Sequence, residues 1–121
     1  MNGVSLMVVP VERVERLLSI YGDRFTMRFF GQGERTYCES RRRRAQHYAA
    51  RLAAKLAVRR LLPRTRLTEL EIERSASGSP SLRLRGCAEV ARQAACLCLH
   101  VSLSHDAGLA IALVVGEREE T

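Results

Sequence analysis

His100-Val-Ser-Leu-Ser-His-Asp106, followed at once by the apolar run of residues 109–115, decides how the end of this 121-residue chain folds. Read with a period of two, Leu97, Leu99, Val101 and Leu103 point to one side of a strand. Cys98, His100, Ser102 and Ser104 point to the other. The stretch His105-Asp-Ala-Gly108 then turns the chain into a second strand that is apolar enough to be buried. Two readings stay open here. The hydroxyls and imidazole form the floor of a polar site, or the segment is an ordinary half-buried hairpin with a satisfied core histidine.

Upstream of this hairpin, residues 86–95 read as a helix, residues 82–84 as a return strand, residues 75–80 as a turn and residues 67–74 as the strand before it. The longest helix is expected over residues 41–62, stopped by Pro63. Ala45, Tyr48, Ala49, Leu52, Leu56 and Ala57 recur on it at helical spacing and carry much of the core. Its entry, residues 41–44, is all arginine. Cationic side chains at a helix N-terminus oppose the dipole, a small cost that points toward an external anion. At the front, residues 3–9 read as a short strand and Pro10 as the first residue of a helix. Val11, Val14, Leu17 and Leu18 form that helix's apolar stripe, and Tyr21-Gly-Asp23 ends it. Residues 24–30 form a second short helix, Gly31 and Gly33 loosen the chain after it, and residues 117–121 are a polar tail. The order is strand, helices, long helix, hairpin, helix, hairpin, which describes one α+β domain over residues 1–121.

Composition narrows the function classes. Apolar residues make up 46% of the chain, enough for a packed core, and no apolar stretch reaches the length of a membrane span. The opening Met-Asn-Gly-Val-Ser5 lacks a basic region and a cleavage site, so no signal peptide and a cytoplasmic protein are expected. The four cysteines, Cys38, Cys87, Cys96 and Cys98, show no second Cys/His pair at zinc-finger spacing and read as reduced, mostly buried thiols. A net charge of +7 predicts an acidic partner. Arginine carries nearly all of it, and Lys55 is the sole lysine. Nucleic acid is the generic partner for such a charge, but no aromatic stacking platform or reading motif accompanies the arginines, so none is expected. No membrane partner is expected either.

Several segments, in order, resemble the holo-acyl-carrier-protein synthases, the small phosphopantetheinyl transferases. Gly3-Val-Ser-Leu-Met-Val-Val9, with Arg13 beyond it, is similar to that family's opening strand and helix. Tyr21-Gly-Asp-Arg-Phe25, Phe30 followed by Glu34, and Tyr37-Cys38 resemble its next segment. Ala50-Arg-Leu-Ala-Ala-Lys-Leu-Ala57 is similar to its long-helix signature Arg-Phe-Ala-Ala-Lys-Glu-Ala. Leu70-Glu-Ile-Glu73, Gly78-Ser-Pro80 and His100-Val-Ser-Leu-Ser-His105 follow in family order. The resemblance covers nearly the whole chain. It implies the phosphopantetheinyl transferase fold, an antiparallel sheet with a long packed helix and short helices, assembled as a homotrimer.

It also implies a chemistry: moving the phosphopantetheine arm of coenzyme A onto a carrier-protein serine, with magnesium held by a strand Asp and a long-helix Glu. Both acids are absent here. Met7 stands at the strand position and Leu56 at the helix position, and Ser5 replaces a glycine. Methionine and leucine offer no oxygen to a hard cation, so no magnesium is expected. By the same resemblance Arg51, Lys55, Arg60, Ser104 and His105 are the candidate coenzyme-binding residues, while Ser79 stands where the family usually has a basic residue. Arg13, Arg16 and Arg24 match the docking surface for an acidic acyl carrier protein.

Three functions follow as expectations. The first is a degenerate transferase that binds a carrier protein without transferring phosphopantetheine. The second is a repurposed enzyme acting on a tethered acyl or polyketide chain, with coenzyme A or an acyl-pantetheine as ligand. His105, His100 and Glu34 would be its proton-transfer residues, and Met7 and Leu56 would make its pocket apolar. The third is a still-active synthase completed by Glu34 or Asp106 of a neighbouring subunit.

Overall fold

The computed structural model describes residues 3–74 and 77–119. Residues 75 and 76 of the expected turn, residues 1 and 2, and residues 120–121 of the expected tail lie outside them.

Strand β1 (Gly3–Pro10) leads into helices α1 (Val11–Tyr21), α2 (Asp23–Phe29), α3 (Gln32–Glu39) and the long α4 (Arg44–Leu61). A 3-10 turn over Leu67–Glu69 precedes β2 (Leu70–Arg74) and β3 (Pro80–Leu84); α5 (Gly86–Ala95), β4 (Leu97–Asp106) and β5 (Leu109–Arg118) complete the chain. The longer sheet has the order β1-β5-β4, all antiparallel, and β2 pairs with β3 in a second antiparallel sheet. Ala107 and Gly108, at φ 51° and 77°, make the two-residue β4–β5 turn, where both residues need positive φ.

α4 lies across the inner face of the longer sheet, against β1 and β5. Small residues on both sides allow the approach: Ala49, Ala53 and Ala57 on the helix, Ala110 and Ala112 on β5, all fully buried. Tyr48 plugs one end of this layer, with its ring 4.8 Å from that of Phe30. Two buried clusters result, and Met7 and Leu56 are among the half-buried residues packed against both.

The outer face of the longer sheet is uncovered. Val4, Leu6, Val8, Leu109 and Leu113 stand exposed on it, with Val4 69% and Leu6 55% accessible. The register sets Leu6 beside Leu113 and Val8 beside Ile111, so these side chains form one apolar ladder.

Four local expectations are corrected. Pro10 ends β1 at ψ 129° instead of opening α1, because Val11 N still donates to Gly108 O across the sheet. The long helix starts at Arg44 rather than 41: Arg43 at φ −110° and ψ 64° breaks the turn, and three consecutive arginines would load the dipole's positive end. Residues 67–69 form a 3-10 turn, not strand. α3 was unforeseen: Gly31 and Gly33 flank its start, yet Glu34 reaches back to accept a hydrogen bond from Gly31 N at 3.0 Å and tie the first turn. The cysteines also differ from expectation. All four are free, but only Cys38 is buried; Cys87 is exposed and the other two are half-buried. Burial pushes the Cys38 thiol up to about 12.

Candidate functional site

Strand β4 delivers what the alternation promised, but not a buried polar floor. Its leucines and Val101 face inward, and His100, Ser102 and Ser104 are exposed. His100 is therefore not a core histidine; its Nε2 lies 4.0 Å from Glu117 and 3.7 Å from the Cys98 sulfur. The end of β4 is different. Ser104 and His105 line a cleft of about 330 Å³ with Gln46, His47 and Arg51 of α4 and Arg74 of β2.

Arg51 is the buried member, 2% exposed. One of its terminal nitrogens donates to His47 O at 3.4 Å, and its Nε has no partner. Its guanidinium stacks 4.4 Å from the centre of the Tyr37 ring. Arg41 and Arg74 stack on the same ring at 4.6 and 5.2 Å, and the His47 ring meets it edge-on at 5.5 Å. Burial and then the positive neighbours, Arg51 first, hold His47 below its ordinary value of 6.5.

The other candidates go elsewhere. Lys55 is completely buried and donates to Glu34 Oε1 at 2.5 Å and to Phe29 O at 2.6 Å. Burial pulls its pKa down, against the opposing pull of Glu34. Glu34 also accepts from Gly31 N and, through Oε2, from Ile72 N. That carboxylate thus ties α3, α4 and β2 together and does not face the cleft or a neighbouring subunit. Arg60 is exposed, nine residues along α4 from Arg51, or about 13 Å at helical rise. Sequence reasoning missed His47 and Arg74, and placed Arg41 only within the arginine run before α4 that pointed toward an external anion. Tyr37 was quoted only as a family position, and the convergence of the other three on it requires α3, α4 and β2 to meet.

A second feature lies on α1 and α2. Leu17, Tyr21, Arg24, Phe25, Arg28 and Phe29 line an open groove of about 480 Å³. Tyr21 is half exposed there, and Ile20 and Met27 are further exposed apolar residues of α1 and α2. Arg13 and Arg16 are exposed on α1 outside the groove lining, and Arg16 pairs loosely with Glu12 at 3.7 Å. Arg28, four residues after Arg24, was visible in the sequence as an i,i+4 partner and was not singled out.

No family model matches the chain. Relatives do. The holo-[acyl-carrier-protein] synthase of Anaeromyxobacter sp. (strain K) is 43% identical over 95% of this chain and 94% of its own length. That of Geobacter sp. (strain M21) is 38% identical over 96% and 98%. The chain belongs to the holo-acyl-carrier-protein synthase family. Among solved structures, the ACPS–CoA complex of Chronobacterium ammoniagenes superposes with a TM-score of 0.84 at 25% identity, covering 99% of both chains. The Neisseria meningitidis synthase superposes with a TM-score of 0.85 at 23% identity over 95% and 97%, which adds the fold alone.

The magnesium that this synthase family implies does not suit the residues present. Met7 lies on the helix-facing side of β1 between buried Ser5 and buried Val9, and Leu56 lies on α4. Both pack against the two apolar clusters, and a thioether and a hydrocarbon give a hard cation no oxygen. The Ser5 hydroxyl is buried without a partner. No group of three or more His, Cys, Asp or Glu able to hold a metal occurs among the described residues.

Proposed function

We propose that this synthase-family protein binds an acidic acyl carrier protein on α1 and α2 and a coenzyme-A-type ligand in the Arg51–His105 cleft, without magnesium-dependent phosphopantetheine transfer. The observation that carries the last clause is the pairing of Met7 and Leu56 with the apolar core where two carboxylates are required. The cleft supports the ligand, since Arg51, Arg74, Ser104 and His105 offer donors to a phosphate and a solved relative is a complex with CoA. The groove supports the carrier protein. Arg24 and Arg28 flank aromatic side chains, a charged rim beside an apolar anchor site for an acidic helix.

A second reading has its own support: the 43% identical relative is named a holo-acyl-carrier-protein synthase, so transfer would persist by stabilising the diphosphate without those carboxylates. One experiment separates the two. The protein is mixed with apo carrier protein, coenzyme A and magnesium, and carrier mass is followed. The first reading expects complex formation with no gain of a phosphopantetheine. Appreciable transfer at low protein concentration overturns it in favour of the second. Arg24→Glu with Arg28→Glu is expected to weaken carrier binding about tenfold or more at low salt.

The trimer implied by the resemblance is proposed on the uncovered sheet face, where Val4, Leu6, Val8 and Leu113 await a covering surface. No described helix is long and apolar enough to cross a membrane.

A further inference from the structure

His100, a candidate for proton transfer, stands outside the ligand cleft. What it meets is a thiol. Its Nε2 lies 3.7 Å from the Cys98 sulfur, within hydrogen-bond range for sulfur, and 4.0 Å from a carboxylate oxygen of Glu117. The strand register explains the meeting. Cys98 on β4 stands directly opposite Glu117 on β5, and His100 follows two residues along on the same face. The side chains of His100 and Glu117 are 60% and 64% accessible. A thiol, an imidazole and a carboxylate thus share one solvent-facing corner of the sheet. The corner lies one row beyond Val4, Val115 and His100, past the end of the apolar ladder.

The other three cysteines lack this arrangement. Cys38 is buried, and burial pushes its thiol up to about 12, which keeps it protonated and inert. Cys87 is exposed, but the side-chain group at its position is the Glu69 carboxylate, which accepts from Cys87 N at 2.6 Å. Cys96 is half-buried at the left-handed cap of α5, at φ 54°. Among the described residues, Cys98 alone has an imidazole in hydrogen-bond range.

Cys98 also opens onto space. It lines a hollow of about 490 Å³ with Glu73, Arg83, Glu89 and Arg92. Arg92 is anchored there, since its Nε donates to Glu89 and a terminal nitrogen donates to Leu97 O at 2.8 Å, one residue before Cys98. Arg83 and Glu73 pair across the hairpin at 3.3 Å and are both well exposed. Exposed ion pairs of this kind are worth little and exchange readily for charges on a ligand. Two guanidinium groups and two carboxylates around a hollow of this size suit a small peptide that carries both signs of charge.

We propose that Cys98, with His100 as its base, is a reversible modification site that exchanges with a low-molecular-weight peptide disulfide seated in this hollow. His100 Nε2 accepts the thiol proton, and Glu117 faces the imidazolium that forms. The Cys98 thiolate attacks one sulfur of the disulfide, so that a new sulfur–sulfur bond forms as the reagent's own breaks. The departing thiolate takes the proton from His100 and leaves as a thiol. Cys98 is oxidised, half of the reagent is reduced, and excess thiol reverses the exchange. Six residues of strand, about 20 Å, separate this site from Ser104 in the ligand cleft.

The test follows the reduced full-length protein by intact mass and peptide mapping as it reacts with glutathione disulfide. A parallel series uses iodoacetamide, which needs no seat in the hollow. Both reagents are expected to modify Cys98 about tenfold or more faster than exposed Cys87. Excess reduced glutathione returns the disulfide-treated protein to its parent mass. His100→Gln slows Cys98 about tenfold or more with both reagents and leaves Cys87 unchanged. Arg83→Glu slows glutathione disulfide more than iodoacetamide. Equal rates at Cys87 and Cys98, or a Cys98 rate that His100→Gln leaves alone, overturn the proposal. Fast alkylation of Cys98 with no mixed disulfide overturns the hollow as a disulfide site. Circular dichroism checks the fold of each variant; should His100→Gln fail to fold, Glu117→Gln takes its place and must slow Cys98 for the proposal to stand.

Discussion

At the scale of single residues, Lys55 and Glu34 show how a signature position is used. The only lysine of the chain lies in a helix of alanines and spends two of its three protons inside the protein, on Glu34 and Phe29. Removing one partner of a buried pair leaves the other charge uncompensated, which costs about 3–5 kcal/mol. Lys55→Met is therefore expected to lower unfolding free energy by about that amount in urea denaturation. A loss below about 1 kcal/mol would show that the two backbone N–H donors alone satisfy Glu34. His47 offers a pH test. Its folded value is held below 6.5 by burial and by Arg51, Arg41 and Arg74. As pH falls through 6.5 the unfolded chain takes up a proton there before the folded chain does, so stability drops until the lowered folded value is passed. Urea midpoints at about pH 7.5 and 5.5 should differ less for His47→Phe than for the parent protein. Equal differences would mean that other groups set the acid sensitivity.

At the scale of elements, the contact of β1 with α4 carries the departure from the family pattern. Met7 and Leu56 sit on these two elements and help to join the two apolar clusters. Each change to an acid, Met7→Asp or Leu56→Glu, should destabilise the protein by about 1–3 kcal/mol by placing a carboxyl in a half-buried apolar contact. In the double variant, added magnesium should raise Tm, whereas the parent should show no shift. A double variant indifferent to magnesium would show that the two side chains do not share a site. Helix α3 teaches the complementary point. Its glycines read as breakers, yet Glu34 caps its first turn and also reaches Ile72, 38 residues away. The helix is fixed by a partner that no local window contains.

At the scale of the molecule, the sheet divides the protein into a packed side and an open side. The packed side holds α4 and the buried alanines; the open side shows the ladder of Val4, Leu6, Val8 and Leu113. Large uncovered apolar patches on soluble proteins mark association surfaces. Light scattering on a sizing column is expected to give a multiple of the 13.6 kDa chain mass, and Leu6→Lys to shift it toward the monomer. A parent protein that already runs as a monomer would remove this role from the face. Such a result would leave the cleft and the α1–α2 groove, which are built within one chain.

The amino-acid order by itself determined the alternation of β4, the apolar stripe of α4, the family and the absence of acids at positions 7 and 56. Each is a property of spacing or residue type, which periodicity and side-chain chemistry fix locally. Only the tertiary structure decided that Lys55 serves the interior while Arg51 serves the cleft, four residues apart on one helix. It alone brought Arg41, Arg51 and Arg74 onto Tyr37. Burial and charge crowding belong to the three-dimensional meeting of distant segments, and no pattern along the chain records which of its many arginines will share a ring.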